Sequence, residues 1–221
     1  PMRYPTALLA LALAIPCAAQ DAWLDHVVPL PQEIDLTGSR TVPRGGVRVT
    51  PAASDAGPAR SAVVELHRAV GECAGTPRTT IRLLLGGARA RSLRDLPSPE
   101  QAFRVESLAS GREIRIIALQ PAGLYYGALT LAQLIDAHAT QDEITLPELT
   151  VTDWPDIAER GLWGSDSHLE IPWMARRKLN LVQQISWLNV TPDGQGEARL
   201  KDGREPMVEI GPELAMHPVP A

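Results

Sequence analysis

Residues 112–135, REIRIIALQPAGLYYGALTLAQLI, constrain the fold more than any other stretch of this chain. Ile114, Ile116 and Ala118 alternate with Arg115 and Ile117, which is the period of a half-buried strand. Pro121 and Gly123 punctuate a turn. Leu124, Ala128, Leu131, Ala132 and Ile135 then recur at helical spacing and make one apolar face. Taken alone, a strand and a helix packed in this way form only a piece of core.

The neighbouring segments extend that piece into a layer. From Trp23 to Gly46 the chain is rich in Pro and turn residues, and the prolines force extended backbone and prevent a helix from starting. Val47–Thr50 reads as a short strand. Pro58 to Gly71 reads as a helix with Ala62, Leu66 and Ala69 inward, and Cys73 falls on that face as a buried thiol. Thr79–Leu85 is a strand with Ile81, Leu83 and Leu85 on one side, ended by Gly86-Gly87. Residues 88–101, ARARSLRDLPSPEQ, read as a solvated loop. Pro97 and Pro99 break it, and Asp95 and Glu100 offset Arg89, Arg91 and Arg94, which weakens any polyanion patch there. Gln101–Ser107 and Arg112–Ala118 form a hairpin across Ser110-Gly111, with Phe103 and Val105 on one side and Arg104 and Glu106 on the other. Ile144–Thr150 is a further extended segment. Two helices are too few for a doubly wound sheet. The expected fold is α+β, an antiparallel or mixed sheet with two helices on one face, over residues 28–150.

After Trp154-Pro155-Asp156 the character changes. Glu159 to Gly164 is a short apolar strand ending in glycine, Pro172 to Arg177 a helix with proline in its first turn, and Lys178 to Val182 the start of a second strand. This βαβ rhythm is the opening of a (β/α) barrel. A whole barrel needs on the order of 250 residues, so residues 156–221 are expected to hold its truncated start and the chain to be a fragment.

A net charge of −5 argues against nucleic acid or an anionic membrane surface as partner. Residues 2–20 have the form of a secretory signal peptide: Met2 and Arg3, an apolar run from Ala7 to Ile15, then small residues at Cys17-Ala18-Ala19-Gln20. That run is too short to span a bilayer. Pro16 disfavours a lipid anchor on Cys17, so a secreted or periplasmic protein is expected, with no membrane contact after cleavage. Cys73 is then the only cysteine, and no internal disulfide can form.

The wording of the central helix carries a resemblance. Gly123, Tyr125, Tyr126, Gly127, Thr130, Leu131, Gln133 and Leu134 are similar to the Gly-x-aromatic-Tyr-Gly and Thr-Leu-x-Gln-Leu pattern in the non-catalytic N-terminal domain of glycoside hydrolase family 20, the β-N-acetylhexosaminidases. Leu129 departs from a frequent glutamine. Residues 147–161, PELTVTDWPDIAERG, resemble the family's junction, where Asp-x-Pro leads to the Arg-Gly of the first barrel strand. Pro29, Pro31 and Ile34 match its opening segment, and Lys178-Leu179-Asn180 its second barrel strand.

The resemblance implies an enzyme that removes terminal N-acetylhexosamine from glycans with retention. The substrate's own acetamido oxygen attacks the anomeric carbon, with no metal or other cofactor. An Asp-Glu pair after the fourth barrel strand orients the acetamido group and protonates the leaving oxygen, the Glu needing a raised pKa. That pair is expected beyond Ala221, so this chain alone is expected to be inactive. The small domain is implied to pack on its own barrel. Arg160 is implied to bind sugar hydroxyls through its fork of donors, with Asp166 as a second substrate-binding residue, displaced by one position. A structural arginine at a domain junction is the other reading of Arg160. The family's Asp-x-x-Arg-His is missing, its places held by Ser165, His168 and Leu169.

Three further patterns are set aside. Asp142-Glu143 is an adjacent carboxylate pair, but it lies in a polar linker of the small domain. Asp166, His168 and Glu170 could converge on an ion only from an extended strand, and read instead as a polar loop. Asn189-Val190-Thr191 has the form of a glycosylation acceptor, while Thr191-Pro192-Asp193-Gly194 reads first as a turn. Two functions from different classes remain open: the N-terminal portion of an exported hydrolase, of family 20 or a family 84-like variant, and a non-catalytic carbohydrate-binding or interaction module.

Overall fold

Both long helices begin with a proline in their first turn and no side-chain cap, so each start is set by the ring's fixed φ and by the donor it lacks. The computed structural model describes residues 23–164, 171–184, 186–190, 196–200, 208–210 and 216–218. The small domain runs β1 (Glu33–Pro43), β2 (Val47–Thr50), α1 (Gly57–Val70), β3 (Thr79–Leu85), a 3-10 helix (Ala88–Asp95), β4 (Phe103–Ser107), β5 (Glu113–Ala118), α2 (Pro121–Asp136) and β6 (Glu143–Asp153). Its six strands lie in the order β1-β6-β4-β5-β3-β2. The pairs β2–β3 and β3–β5 are parallel, and the others antiparallel. The sheet is therefore mixed, as the α+β reading expects.

Two crossovers explain the layer. α1 joins parallel neighbours β2 and β3, and α2 carries the chain from β5 over β4 to β6. One core joins Ala62, Leu66 and Ala69 of α1 to Ile81, Leu83, Phe103, Val105, Ile114 and Ile116 of the sheet and to the buried side of α2. Each fully buried Leu, Ile or Phe contributes roughly 1.5–3 kcal/mol. α2 approaches the sheet at its glycines. A Cβ on Gly123 would fall on the Ala102 carbonyl oxygen, and one on Gly127 would stand 2.6 Å from Ile116 and 3.0 Å from Phe103.

The structure corrects the sequence reading in three places. Residues 33–43 are a long edge strand, not a turn-rich lead. Pro29 and Pro31 precede it, Pro43 closes it, and it pairs with β6 along its whole length across an irregularity at Leu36/Gly38. Residues 88–95 are a 3-10 helix and not a loop. Its arginines are exposed, while Ala90 and Leu93, three apart and thus on one side of a 3-10 turn, are buried against Ala102 and Ile117 on the second face of the sheet. Ile117 and Leu84 need that cover. Cys73 is not on the helical face. α1 ends at Val70, Gly71 turns away at φ 78°, and the half-buried Cys73 thiol donates to the Gly75 carbonyl at 3.8 Å.

β6 continues past Thr150 to Asp153 and leads into β7 (Gly161–Gly164), α3 (Ile171–Arg176) and β8 (Leu181–Gln184). β7 and β8 pair in parallel from Gly161↔Leu181 to Gly164↔Gln184, a single βαβ unit. The strands that follow, β9 (Ser186–Val190), β10 (Gly196–Leu200), β11 (Val208–Ile210) and β12 (Met216–Pro218), form an antiparallel meander and not further βα units. Residues 2–20 lie outside the described residues, as do Asp166, His168, Glu170 and the turn sequence 191–194.

Ahead of β1, Trp23 and Val27 are buried in the main core, and the Trp23 ring lies on His138 with centroids 3.9 Å apart. Burial pushes the His138 imidazole below its usual value, and neighbouring His26 adds to that. A lowered folded value means that the unfolded chain binds the proton more readily. The stability is thus present above about pH 6.5 and is lost as pH falls through the lowered folded value. Urea midpoints compared between pH 7.5 and 5 should fall for the wild type and fall less for His138→Gln. Separately, Gly123→Ala should destabilise by roughly 2–3 kcal/mol and Gly127→Ala by roughly 1–2 kcal/mol, because backbone blocks the first and side chains the second. Equilibrium unfolding of both variants checks this order.

Candidate functional site

Where β6 ends, the chain crosses to β7 through Trp154-Pro155, and proline keeps the crossing extended. A cleft of about 200 Å³ opens there, lined by Leu30, Phe103, Tyr126, Trp154, Ile157 and Arg160 among others. Leu30 and Ile157 are largely exposed at its rim. Its polar side holds a buried ion pair and an arginine-centred cluster.

The ion pair joins the two halves of the chain. Lys178 Nζ lies 2.8 Å from Asp153 Oδ2, with both side chains under 10% exposed (4% and 8%). The other carboxylate oxygen accepts the Gln32 amide N–H at 3.2 Å. The ammonium also stands 4.9 Å over the Phe103 ring. Burial pushes the Lys178 ammonium below its usual range, the Asp153 charge and hydrogen bond hold it up, and the nearby Arg160 charge lowers it further. Lys178 takes a left-handed φ of 59°, which turns the chain from α3 into β8.

Arg160 immediately precedes β7. Its Nη1 donates to the carbonyls of Ile157 (2.5 Å) and Ala158 (3.3 Å), and its Nη2 to Gln101 Oε1 (3.1 Å) and the Lys178 carbonyl (2.7 Å). Its backbone N–H donates to Asn180 Oδ1 at 2.8 Å, and its carbonyl accepts from the Asn180 and Leu181 amides. Asn180 Nδ2 in turn donates to Ala158 O and Gln101 Oε1. Tyr126 lies beneath, with the Arg160 guanidinium 5.7 Å from its ring centroid. Burial raises the Tyr126 hydroxyl, while the Arg160 charge lowers it. The glycine after Arg160 is demanded by the ladder, because a Cβ on Gly161 would collide with the Leu181 carbonyl oxygen.

A second joint stands two turns further along α2. Gln133 grips the Val28 backbone, accepting its N–H at 3.1 Å and donating to its carbonyl at 3.2 Å, and also donates to the Arg176 carbonyl at the end of α3. Glu65 of α1 pairs with Arg68 at 2.9 Å and with Arg176 at 3.5 Å.

Of the residues singled out in the sequence, Arg160 thus sits at the junction, and Asp166 lies outside the described residues. Asp142 and Glu143 stand at the turn that opens β6, at the far end of that strand from Asp153, roughly 33 Å away at strand rise. Among the described residues no group of three His, Cys, Asp or Glu side chains is placed to hold a metal ion, and no helix is long and apolar enough to cross a membrane. Gln101 and the Lys178–Asp153 pair escaped the sequence reading. Lys178 and Asp153 lay inside quoted motifs without a role, whereas Gln101 closes a polar stretch and carries no periodic signal.

The sequence model of glycosyl hydrolase family 20, domain 2, matches residues 25–154. Solved structures share the fold. The Streptomyces plicatus N-acetyl-beta-hexosaminidase in complex with Thio-NAglucal is 24% identical, with a TM-score of 0.53 over 77% of this chain and 35% of that one. The GH20 exo-beta-N-acetylglucosaminidase from Vibrio harveyi in complex with N-acetylglucosamine is 19% identical, with a TM-score of 0.50 over 71% of this chain and 24% of that one. CpGH84B is 15% identical, with a TM-score of 0.52 over 71% and 29%. The chain therefore spans 35% or less of the length of each. Among curated proteins none matches it.

Removing one partner of the buried pair strands a charge. Asp153→Ala should cost roughly 3–5 kcal/mol, and the double change Asp153→Leu with Lys178→Met should recover most of that loss. Urea unfolding of the single and double variants measures both.

Proposed function

The chain belongs to glycosyl hydrolase family 20, and from that membership we propose that it forms the N-terminal part of an exported hydrolase that removes terminal N-acetylhexosamine from glycans. The observation that carries this reading is continuity. The matched small domain ends at residue 154, and the chain passes through a buried ion pair directly into a parallel βαβ unit of the kind that opens a barrel.

In this reading the glycan's acetamido oxygen attacks the anomeric carbon, so the protein supplies no nucleophile. It supplies a carboxylate that orients the acetamido group and a carboxylic acid that protonates the leaving oxygen. Asp142-Glu143 cannot serve, standing at the far end of β6 and fully at the surface. The pair is assigned to a barrel strand later than β8. Export rests on the leader pattern of residues 2–20. The small domain then acts as a fixed base for the barrel, held through Lys178–Asp153, Gln133 and Glu65–Arg176.

The test is to sequence the coding frame past Ala221 and to assay a chromogenic N-acetyl-β-glucosaminide with the purified 221-residue chain and with the longer product. The short chain should show no turnover above background, and the longer product should hydrolyse with retention and carry an Asp-Glu pair after its fourth βα unit. A frame without that pair, whose product binds glycan without turnover, would replace this reading with the binding-module one.

A further inference from the structure

We propose that the face of the sheet turned away from α1 and α2 docks an acidic polysaccharide, one whose sugar rings carry carboxylates, through the arginines of the 3-10 helix. The choice of a glycan among anionic polymers rests on the hydrolase reading above.

A net charge of −5 hides an uneven distribution. At one edge of the sheet, β1 exposes Glu33 and Asp35. Toward the other edge the sign reverses. Arg48 of β2 and Arg89, Arg91 and Arg94 of the 3-10 helix are all exposed. Among the described residues none of these four forms an ion pair, so the offset expected from Asp95 and Glu100 is not made by contact.

The fold gathers these charges. Ala90 and Leu93 seat the 3-10 helix over Ile117 and Leu84. Arg104 stands directly across from Ile117. Arg82 and Arg115 are paired with each other two residues before Leu84 and Ile117, and so lie on the same face. Arg48 joins them through its partner Thr80. The three sheet arginines, Arg82, Arg104 and Arg115, share only Glu106 and Glu113. With Asp95 and Glu100 included, seven arginines meet four carboxylates on or beside this face.

The geometry suits a linear polymer. Side chains three apart eclipse in a 3-10 helix, so Arg91 and Arg94 project from one side roughly 6 Å apart. A planar guanidinium fork matches a carboxylate with two parallel donors. Beside Arg94 an open hollow of about 400 Å³ is bordered by Gly86, Pro99, Glu100, Leu119 and Gln120. Its mixed border suits a sugar ring with its hydroxyls. Neither the 3-10 helix nor the sheet positions named here carry an aromatic side chain, which single-stranded nucleic acid would use for stacking and a membrane surface for anchoring.

Fluorescence anisotropy of a labelled alginate oligomer, a polymer of uronate units alone, tests this surface on the 221-residue chain. The wild type should bind it and should not bind neutral dextran. Binding should weaken steeply as ionic strength rises from about 0.01 M to about 0.15 M, where the screening length drops from roughly 30 to 8 Å. Arg91→Gln with Arg94→Gln should weaken it roughly tenfold, since each exposed ion pair is worth up to about fivefold. Arg60→Glu, on α1 across the sheet, makes the same change in net charge and should alter binding less than about twofold. Urea midpoints of both variants should stay close to that of the wild type, because the altered side chains are exposed. Alginate affinity unchanged in the Arg91/Arg94 variant, or absent in the wild type, would overturn the surface. Tighter binding of oligothymidylate or of phosphatidylglycerol vesicles than of alginate would overturn the glycan assignment. Failure of the hydrolase reading would show instead in the coding frame and the turnover assay, neither of which involves these arginines.

Discussion

Gly123 and Gly127 let α2 lie closer to the sheet than any side chain would permit, and the rest of the structure depends on that approach. The two glycines are four apart and face the strands together. Ala102, Ile116 and Phe103 fill the space directly beneath the helix backbone. Once α2 is pinned in this way, its flank is fixed too. Tyr126 and Gln133 are seven residues, or two turns, apart and so share that flank about 10 Å from each other. Tyr126 meets Arg160, and Gln133 meets Val28 and Arg176. The helix motif therefore divides by face: glycines toward the sheet, Tyr126 and Gln133 toward the second half of the chain, Leu131 and Leu134 in the core.

The junction itself uses charge where apolar packing would be cheaper to bury. Two charges lose several kcal/mol each of hydration, and a matched apolar pair often does as well. A charged pair differs in tolerating one arrangement only. If β8 shifted against β6, Lys178 or Asp153 would be left charged in apolar surroundings beside Phe103. Neighbouring hydrogen bonds reinforce the same register, since Gln32 holds the second oxygen of Asp153 and Arg160 holds the Lys178 carbonyl. The ordering of the two halves thus rests on satisfied polar groups, and the apolar cleft beside them remains partly open.

Much of this was legible in the sequence because periodicity reports which face is buried. Ile114/Ile116, Ile81/Leu83 and Phe103/Val105 all lie in the main core as their alternation implies. The misses share a cause. β1 is an edge strand whose alternate residues are only half covered, so its contrast is weak and its flanking prolines dominate the reading. The 3-10 helix has a period of three and arginines at half of its other positions, which hides Ala90 and Leu93 among charges. Cys73 matched a helical period that Gly71 had already ended. Gln101 could not be found at all, because its role comes from Arg160 and Asn180, which lie far along the chain.

The same reasoning applies to the residues just before β7. The Arg-Gly dipeptide makes two demands of one place. Glycine is needed because the β7–β8 ladder runs so close that a Cβ at 161 would strike Leu181, and arginine because three carbonyls and a glutamine oxygen converge just before the strand begins. Lysine has too few directions of donation, and an apolar residue would leave those acceptors dry. β7 and β8 are four residues long, roughly 13 Å, and parallel pairing makes them move as one. Whatever groups stand at their far ends are therefore aimed from the junction. The hydrogen bonds around Arg160, Gln101 and Asn180, together with one buried ion pair, fix the two strand starts against the small domain.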